Sequence, residues 1–148
     1  AGIYASGLAH EADMDAFDQV IDVKVKALMR LTRLSLPHLL EASPAAVINV
    51  ASVAGKMTFR GGGAYCASKH AVMGFTGSVF EDVREQGVKV CAICPGFVNT
   101  SMVAGRGLDM DKMIQPDDIA DAVAFVASFP DTGCPTEIVI RPQRNPYT

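Results

Sequence analysis

The stretch AAVINVASVAGKMTFRGGGAYCASKH, residues 45–70, decides the fold of this chain. It opens with a continuous apolar run, residues 45–52, which is typical of a strand buried in a parallel sheet. Three glycines then lead into a helical pattern that begins at Ala64. The glycines complete neither common phosphate-binding motif, so we interpret them as the residues that let the backbone turn sharply into the helix.

The rest of the chain continues the same alternation of strands and helices. The predicted strands cover residues 45–52, 88–94 and 136–142, and the predicted helices cover residues 13 to about 41, residues 64–86 and a segment that begins at Pro116. Helices that alternate with fully apolar strands predict an α/β fold with a parallel sheet. We therefore expect a single domain over residues 1–148, built as a partial doubly wound, Rossmann-like parallel sheet of about three strands with flanking helices.

The first predicted helix contains one anomalous residue. Its apolar side chains follow helical spacing at Phe17, Ile21, Leu28, Leu31 and Leu34. Lys24 falls within the same stripe. One explanation is that its aliphatic stem is buried while its ammonium reaches the edge of the core. The alternative is that the ammonium has a specific use there, and the sequence does not choose between the two.

The composition argues against several classes of protein. The net charge is −3, and no block of basic residues points to nucleic acid. The longest apolar runs have the length of strands, so we expect no membrane-spanning segment. No secretory leader pattern is visible, and we expect a cytoplasmic protein.

Four cysteines raise the question of a metal or redox site, because Cys91 and Cys94 form a C-x-x-C. The surrounding run, VKVCAICPG, has the pattern of a buried strand that ends at Pro95. Residues three apart on a strand point to opposite faces of the sheet, whereas a redox pair needs both sulfurs together. We therefore predict core cysteines, no metal site and a reducing compartment.

Polar residues gather where the predicted strands end. Ligands of parallel sheets bind beyond the carboxyl ends of the strands, and Ser52 lies at such an end. Tyr65 and Lys69 are four residues apart and share one face of the predicted helix. A phenol has a pKa near ~10, and a nearby ammonium favours the phenolate and lowers that pKa. The pattern predicts proton transfer at a carbonyl or alcohol, with Ser52 bound to the substrate oxygen, although Tyr-x-x-x-Lys alone is a weak motif.

Taken together, these motifs resemble those of the short-chain dehydrogenases/reductases. INVASVAG is similar to that family's strand-end serine motif, AYCASKHAV to its Tyr-x-x-x-Lys helix, and CPGFVNT to its Pro-Gly-x-Val-x-Thr loop. The opening Ala1 and Gly2 resemble the end of its Asn-Asn-Ala-Gly segment. The resemblance runs from Ala1 to about Pro142, which is nearly the whole chain.

The resemblance implies an NAD(P)-dependent oxidoreductase that transfers a hydride between the nicotinamide cofactor and an alcohol or carbonyl substrate. Tyr65 would be the general acid in reduction and the base in oxidation. Lys69 would lower the pKa of Tyr65 and hold the nicotinamide ribose, and Ser52 would orient the substrate carbonyl. The implied cofactor-binding residues are Gly2, Tyr65, Lys69, Pro95, Gly96, Val98 and Thr100. The ending TEIVIRP resembles members that favour NADP and act on small hydroxy acids or ketones, so NADP is slightly favoured over NAD.

Two departures from the family pattern bear on function. The family usually has an asparagine that supports a proton-relay water, in a pattern like Asn-Val-x-Gly, where this chain has KVKA at residues 24–27. Lys24 would instead place a second positive charge near Lys69, and like charges depress the pKa of one or both. We do not assign the relay role to Lys24. The glycine-rich turn that cradles the pyrophosphate in the family's amino-terminal half is also missing from these residues.

Without that half, the strand at residues 45–52 would present an unpaired apolar edge. We expect self-association through this edge, through the two long helices, or through both. The expected partners are therefore a second copy of the chain and a small-molecule alcohol or carbonyl substrate, with neither nucleic acid nor a membrane. The alternative function is a catalytically silent remnant or assembly module that keeps the fold without binding cofactor.

Overall fold

Strands and helices alternate along the chain as predicted. The computed structural model describes residues 2–105 and 107–147. Within these residues the strands are β1 (Ala46–Val50), β2 (Lys89–Pro95) and β3 (Glu137–Ile140), and the α-helices are α1 (Met14–Ile21), α2 (Ala27–Leu40), α3 (Gly63–Val83) and α4 (Pro116–Ala127). Each predicted strand and helix is present, with ends that differ by a few residues. No helix in this described part of the chain has the length and hydropathy needed to cross a bilayer.

The strands form one parallel sheet in the order β1-β2-β3. At its carboxyl end Val50 of β1 pairs with Ile93 of β2, which pairs in turn with Ile138 of β3. The central strand β2 is buried along its whole length. The edge strand β1 is less well covered, because Val50 is 51% exposed. A continuous apolar run therefore predicted the strand β1 correctly but not its burial, which depends on neighbours on both sides.

Helices cover both faces of the sheet. On one face Cys94 packs with Val72 of α3, and on the other Cys91 packs with Val126 of α4. The two cysteines thus point to opposite faces, as predicted for residues three apart on a strand. Both thiols are buried and free, so they form parts of two separate core clusters.

Local signals set the ends of the helices. The Asp13 carboxylate accepts hydrogen bonds from the backbone N–H groups of Asp15 and Ala16 and so caps α1. Gly87 follows the short 3-10 turn after α3 and has a φ of 77°, the left-handed conformation in which glycine commonly ends helices. Pro116 opens α4 at the first position, where its missing N–H costs nothing.

A π-helical turn, Asp22–Lys26, separates α1 from α2 within the long helix predicted at residues 13–41. The wider turn shifts the helical register, so the predicted apolar stripe does not continue as one buried face. Val20 before the turn is 1% exposed, whereas Leu31 and Leu34 after it are 67% and 64% exposed. The predicted long helix is therefore present from Met14 to Leu40, with a π-helical turn around Lys24 that the sequence did not predict.

The turn that follows β1 packs closely against α3. It is a short 3-10 helix, Val53–Gly55. A Cβ atom at Gly55 would lie 2.8 Å from the carbonyl oxygen of Lys69 and 2.8 Å from Cγ of Met73. Only glycine lets the backbone approach α3 this closely. This contact fixes the end of β1 relative to the helix that contains Tyr65.

We expect Gly55→Ala to lower the free energy of unfolding by ~1–3 kcal/mol, because a backbone oxygen blocks the added methyl group. Gly77→Ala is the matched control, since Gly77 lies within α3 with nothing within 4 Å of the added atom. That control should gain ~0.5–1 kcal/mol from helix propensity. Urea unfolding measures both variants. Equal stability of Gly55→Ala and the unsubstituted chain would show that the close approach is not needed.

Candidate active site

The carboxyl end of β1 positions Ser52. The strand's last backbone hydrogen bond runs from the N–H of Ala51 to the carbonyl oxygen of Ile93, at 2.7 Å. Ser52 then caps the following 3-10 turn, because its hydroxyl accepts a hydrogen bond from the N–H of Ala54 at 3.1 Å. The same hydroxyl donates to the carbonyl oxygen of Pro95 at 3.4 Å. Ser52 therefore links the ends of β1 and β2, and it is 9% exposed.

Lys69 reaches the same strand end from α3. Its ammonium donates a hydrogen bond to the carbonyl oxygen of Val50, at 2.9 Å. The residue is 8% exposed, so most of its stem is buried. A lysine side chain has three N–H donors, and Val50 accepts only one of them. The ammonium is thus held at the edge of the sheet, and N–H donors remain for other acceptors.

Tyr65 lies one turn before Lys69 on α3 and is half-buried. Its ring packs edge-on against the ring of Tyr4, with centroids 5.3 Å apart, and lies 6.4 Å from the ring of Phe59. The ammonium nitrogens of Lys24 and Lys69 lie 5.3 Å and 6.0 Å from the centroid of the Tyr65 ring. The structure therefore surrounds this phenol with two aromatic rings and two cations.

Lys24 is buried rather than extended toward solvent. It lies on the π-helical turn and is 9% exposed. Burial lowers its pKa from the ordinary 10.5. Lys24 lines the groove beside β1, which agrees with a buried stem and an ammonium at the edge of the core. The ammonium nitrogen also lies near the Tyr65 ring, so the structure is compatible with both explanations weighed for this lysine.

The two lysines repel each other. The pKa of Lys69 is lowered to about 8, mainly because burial penalises the charged form and secondly because the Lys24 ammonium is nearby. Cys94 opposes these effects weakly by raising the pKa of Lys69. None of the ion pairs formed by residues 2–105 and 107–147 includes either lysine. The expected effect of two like charges is thus present for Lys69, whereas burial is the cause of the lowered pKa of Lys24.

The last residue of β2 and the loop after it contain four of the residues implied in cofactor binding: Pro95, Gly96, Val98 and Thr100. The backbone N–H of Gly96 donates to the carbonyl oxygen of Ile140 in β3 at 2.8 Å, and Val98 forms a bridge with Ile114. The Thr100 hydroxyl donates to the carbonyl oxygen of Val98 at 3.4 Å, within the loop itself. Pro95 meets Ser52 directly, whereas Thr100 is exposed farther along the loop.

The first residues of the chain return to this region. A Cβ atom at Gly2 would lie 2.9 Å from Cε of Met102, so Gly2 lies against the segment that follows Thr100. Ala1, which the resemblance paired with Gly2, lies outside the described residues. Tyr4, two residues on, contacts Tyr65. The amino-terminal segment thus bridges the tyrosine and the loop after β2.

Sequence reasoning missed Tyr4 and Phe59 as neighbours of Tyr65. No spacing rule connects either residue to position 65, because their contacts depend on how two loops fold over α3. One usable signal was the glycine run before Tyr65. Gly61 has a φ of 75°, and the N–H of Gly7 donates to its carbonyl oxygen at 3.1 Å. That bond brings the first segment of the chain to the start of α3.

The lowered pKa of Lys69 makes the stability of the chain depend on pH. The unfolded chain keeps its lysine protons up to about pH 10.5, whereas folded Lys69 loses its proton near a pKa of about 8. The free energy of unfolding should therefore rise by ~1 kcal/mol between about pH 7 and pH 9. Urea unfolding measures this pH dependence in the unsubstituted chain and in Lys69→Met. The difference between the two is the contribution of Lys69.

Measurements should stop near pH 9, because above that pH two buried thiols lower the free energy of unfolding, whereas Lys69 raises it. Burial raises the pKa of Cys91 to about 12 and also raises the pKa of Cys94, both from 9.0. The unfolded thiols ionise first, so stability falls as the pH rises through that range. An identical pH dependence in the unsubstituted chain and in Lys69→Met would contradict the proposed origin in Lys69.

Comparison with known proteins places the chain in a family. The family model described as short chain dehydrogenase matches residues 1–111. An uncharacterized oxidoreductase of Staphylococcus epidermidis is 33% identical over 142 residues, which are 96% of this chain and 62% of the relative. A Staphylococcus aureus oxidoreductase shows the same identity and coverage. The chain thus spans about six-tenths of the length of these curated relatives.

Solved structures agree with this assignment. Serine dehydrogenase from Escherichia coli superimposes with a TM-score of 0.79 and 28% identity, covering 94% of this chain and 59% of that one. 4-Hydroxyisoleucine dehydrogenase complexed with NADH superimposes with a TM-score of 0.82 and 28% identity, covering 96% of this chain and 65% of that one. ElxO with NADP bound superimposes with a TM-score of 0.86 and 25% identity, covering 95% of this chain and 63% of that one. The chain belongs to the short-chain dehydrogenase family.

Proposed function

We propose that this chain contains the proton-transfer site of an NAD(P)-dependent oxidoreductase that interconverts an alcohol and a carbonyl compound. The observation behind the proposal is the position of the Tyr65 ring, whose centroid lies within 6.0 Å of the ammonium nitrogens of two largely buried lysines, Lys24 and Lys69. A cation near a phenol favours its phenolate form, which is what proton exchange with an alcohol requires. The bound nicotinamide cofactor would supply or accept the hydride.

Ser52 is suited to orient the substrate oxygen. Its hydroxyl donates to Pro95 at 3.4 Å, which is long for an O–H···O hydrogen bond and therefore weak. The hydroxyl can exchange this partner for a substrate oxygen while the N–H of Ala54 still holds the side chain in place. In this proposal Ser52 holds the carbonyl and Tyr65 gives or takes the proton.

The residues present fit the nicotinamide and ribose end of the cofactor. Lys69 has N–H donors left after its bond to Val50, and hydroxyl groups of a ribose are suitable acceptors. Gly2 and the loop residues Pro95, Gly96, Val98 and Thr100 would line the nicotinamide side. Several similar structures contain NADH, and ElxO contains NADP. We propose a nicotinamide cofactor and leave the choice between NADP and NAD to the binding measurement below.

Hydroxy amino acids are the first substrates to test. Two structural neighbours are a serine dehydrogenase and a 4-hydroxyisoleucine dehydrogenase, and both names specify an amino acid with an alcohol group. Small hydroxy acids, which the resemblance of TEIVIRP suggested, belong to the same chemical class. We propose an alcohol of this kind, or its ketone, as the substrate.

A second candidate function is an assembly module that keeps the fold without activity. Leu31 and Leu34 on α2 are 67% and 64% exposed, and Val50 at the sheet edge is 51% exposed. Exposed apolar patches and strand edges of this kind favour association with another chain. We propose a homo-oligomer that uses these surfaces. The free cysteines suit a reducing compartment, and we propose the cytoplasm.

Binding of the cofactor separates the two functions. We expect NADPH and NADH, each titrated into the 148-residue chain, to give saturable changes in cofactor fluorescence in the micromolar range. Lys69→Met should weaken binding because it removes the donors proposed for the ribose. The matched control is Lys26→Met, since Lys26 is exposed and paired with Asp22 at 2.6 Å. Absence of binding by either cofactor would favour the assembly module.

Removal of the phenol tests its role. Tyr65→Phe should lower the rate of cofactor reduction with L-serine or 4-hydroxyisoleucine by ~10²–10⁴-fold, the usual contribution of acid–base catalysis. Cofactor binding should fall far less than the rate, because the ring and Lys69 remain. Tyr147→Phe serves as the control, since that phenol is 68% exposed. A Tyr65→Phe chain with undiminished turnover would show that another group transfers the proton.

A further inference from the structure

Lys24 is a largely buried lysine that forms no ion pair within residues 2–105 and 107–147. It is 9% exposed, and it takes part in none of the ion pairs or side-chain hydrogen bonds of these residues. Burial of a charge is costly unless the charge is paired and hydrogen-bonded. The ammonium nitrogen of Lys24 lies 5.3 Å from the centroid of the Tyr65 ring.

The π-helical turn explains why Lys24 reaches Tyr65. Asp22–Lys26 forms this turn between α1 and α2, and turns of this kind often lie at functional sites. The turn points the side chain of Lys24 into the groove beside β1 that Lys69 and Val50 also line. Lys26, two residues on, is exposed and paired with Asp22. Lys26 of the turn therefore lies at the surface, whereas Lys24 faces Tyr65.

Several other described groups lie around Tyr65. Lys69 faces it from α3, and Tyr4 faces it from the amino-terminal segment. The turn with Phe59 also contains Arg60, which is exposed. Cys94 interacts with Lys69 from β2. Among residues 2–105 and 107–147, no carboxylate forms an ion pair with Lys24 or Lys69.

We propose that Lys24 is a positioning residue that supplies a second positive charge to Tyr65 and, together with Lys69, stabilises the tyrosinate form. The inference rests on the proposed function, because it deepens the account of the same proton-transfer site. Lys24 replaces the asparagine usual in the family with a group of different chemistry. The site therefore gains a direct electrostatic contribution where the family pattern has a neutral side chain.

The effect of Lys24 on Lys69 supports this assignment. Lys24 is the second-largest cause of the lowered pKa of Lys69, after burial. A charge that acts on Lys69 from this position is also close enough to act on the Tyr65 ring, since both ammonium nitrogens lie within 6.0 Å of its centroid.

The test is an ultraviolet titration of tyrosinate in the 148-residue chain. The chain has three tyrosines and no tryptophan, so Tyr4→Phe and Tyr147→Phe together leave Tyr65 as its sole source of tyrosinate absorbance. Both changes keep the aromatic rings. In this background Lys24→Met should raise the midpoint of the tyrosinate titration by about one pH unit, which is a tenfold change in proton affinity.

Three further variants make the result specific. Lys26→Met removes an exposed lysine from the same turn and should leave the midpoint unchanged. Lys24→Arg keeps the charge and should keep the midpoint low. Lys24→Asn restores the residue usual in the family and should raise the midpoint as Lys24→Met does, which provides a second neutral variant if Lys24→Met does not fold. Circular dichroism confirms that each variant is folded.

The outcomes separate this inference from the proposed function. The titration needs neither cofactor nor substrate, so a raised midpoint in Lys24→Met supports the inference even if NADPH and NADH do not bind. A midpoint that is unchanged in both neutral variants would overturn it. An equal rise in Lys26→Met would also overturn it, since the effect would then reflect the general charge of the chain.

Discussion

The hydrogen bond from the Lys69 ammonium to the carbonyl oxygen of Val50, at 2.9 Å, is the interaction on which the site depends. It joins α3 to the last residue of β1, the point at which the strand leaves the sheet. The same strand end continues into Ser52, and the same helix contains Tyr65. One bond therefore sets the relative position of all three residues, and the close approach at Gly55 makes that position rigid.

The architecture was largely predictable because it follows from local patterns. The apolar run of β2 predicted a strand buried on both faces, and the glycine and proline signals predicted where α3 and α4 end and begin. Alternation of such elements leaves few arrangements other than a parallel sheet covered by helices. The exposure of Leu31 and Leu34 was not predictable, because one π-helical turn changes which residues face the sheet without leaving a recognisable pattern in the sequence.

The site was predictable only in part, because spacing along the chain predicts contacts between residues of one helix but not contacts between distant segments. Tyr65 and Lys69 are joined by one helical turn, so their spacing alone predicts that they share a face. Tyr4 and Phe59 approach Tyr65 through loops, and loop conformation is not encoded by periodicity. Lys24 is intermediate between these cases. Its place on an apolar stripe indicated burial, but the direction of its ammonium depended on the π-helical turn.

Lys24 also shows how a departure from good packing points to function. Most of the fold obeys simple rules: β2 is buried along its length, the ammonium of its Lys89 pairs with Asp131 at 2.8 Å, and the thiols of Cys91 and Cys94 lie in separate apolar clusters. Two buried ammonium groups that repel each other break those rules, and each would be replaced by an apolar side chain if stability alone mattered. Such local conflicts are expected where a chemical task outweighs stability. The conflict in this chain is confined to the surroundings of one phenol, and the phenolate is the one form of that group whose charge would relieve it.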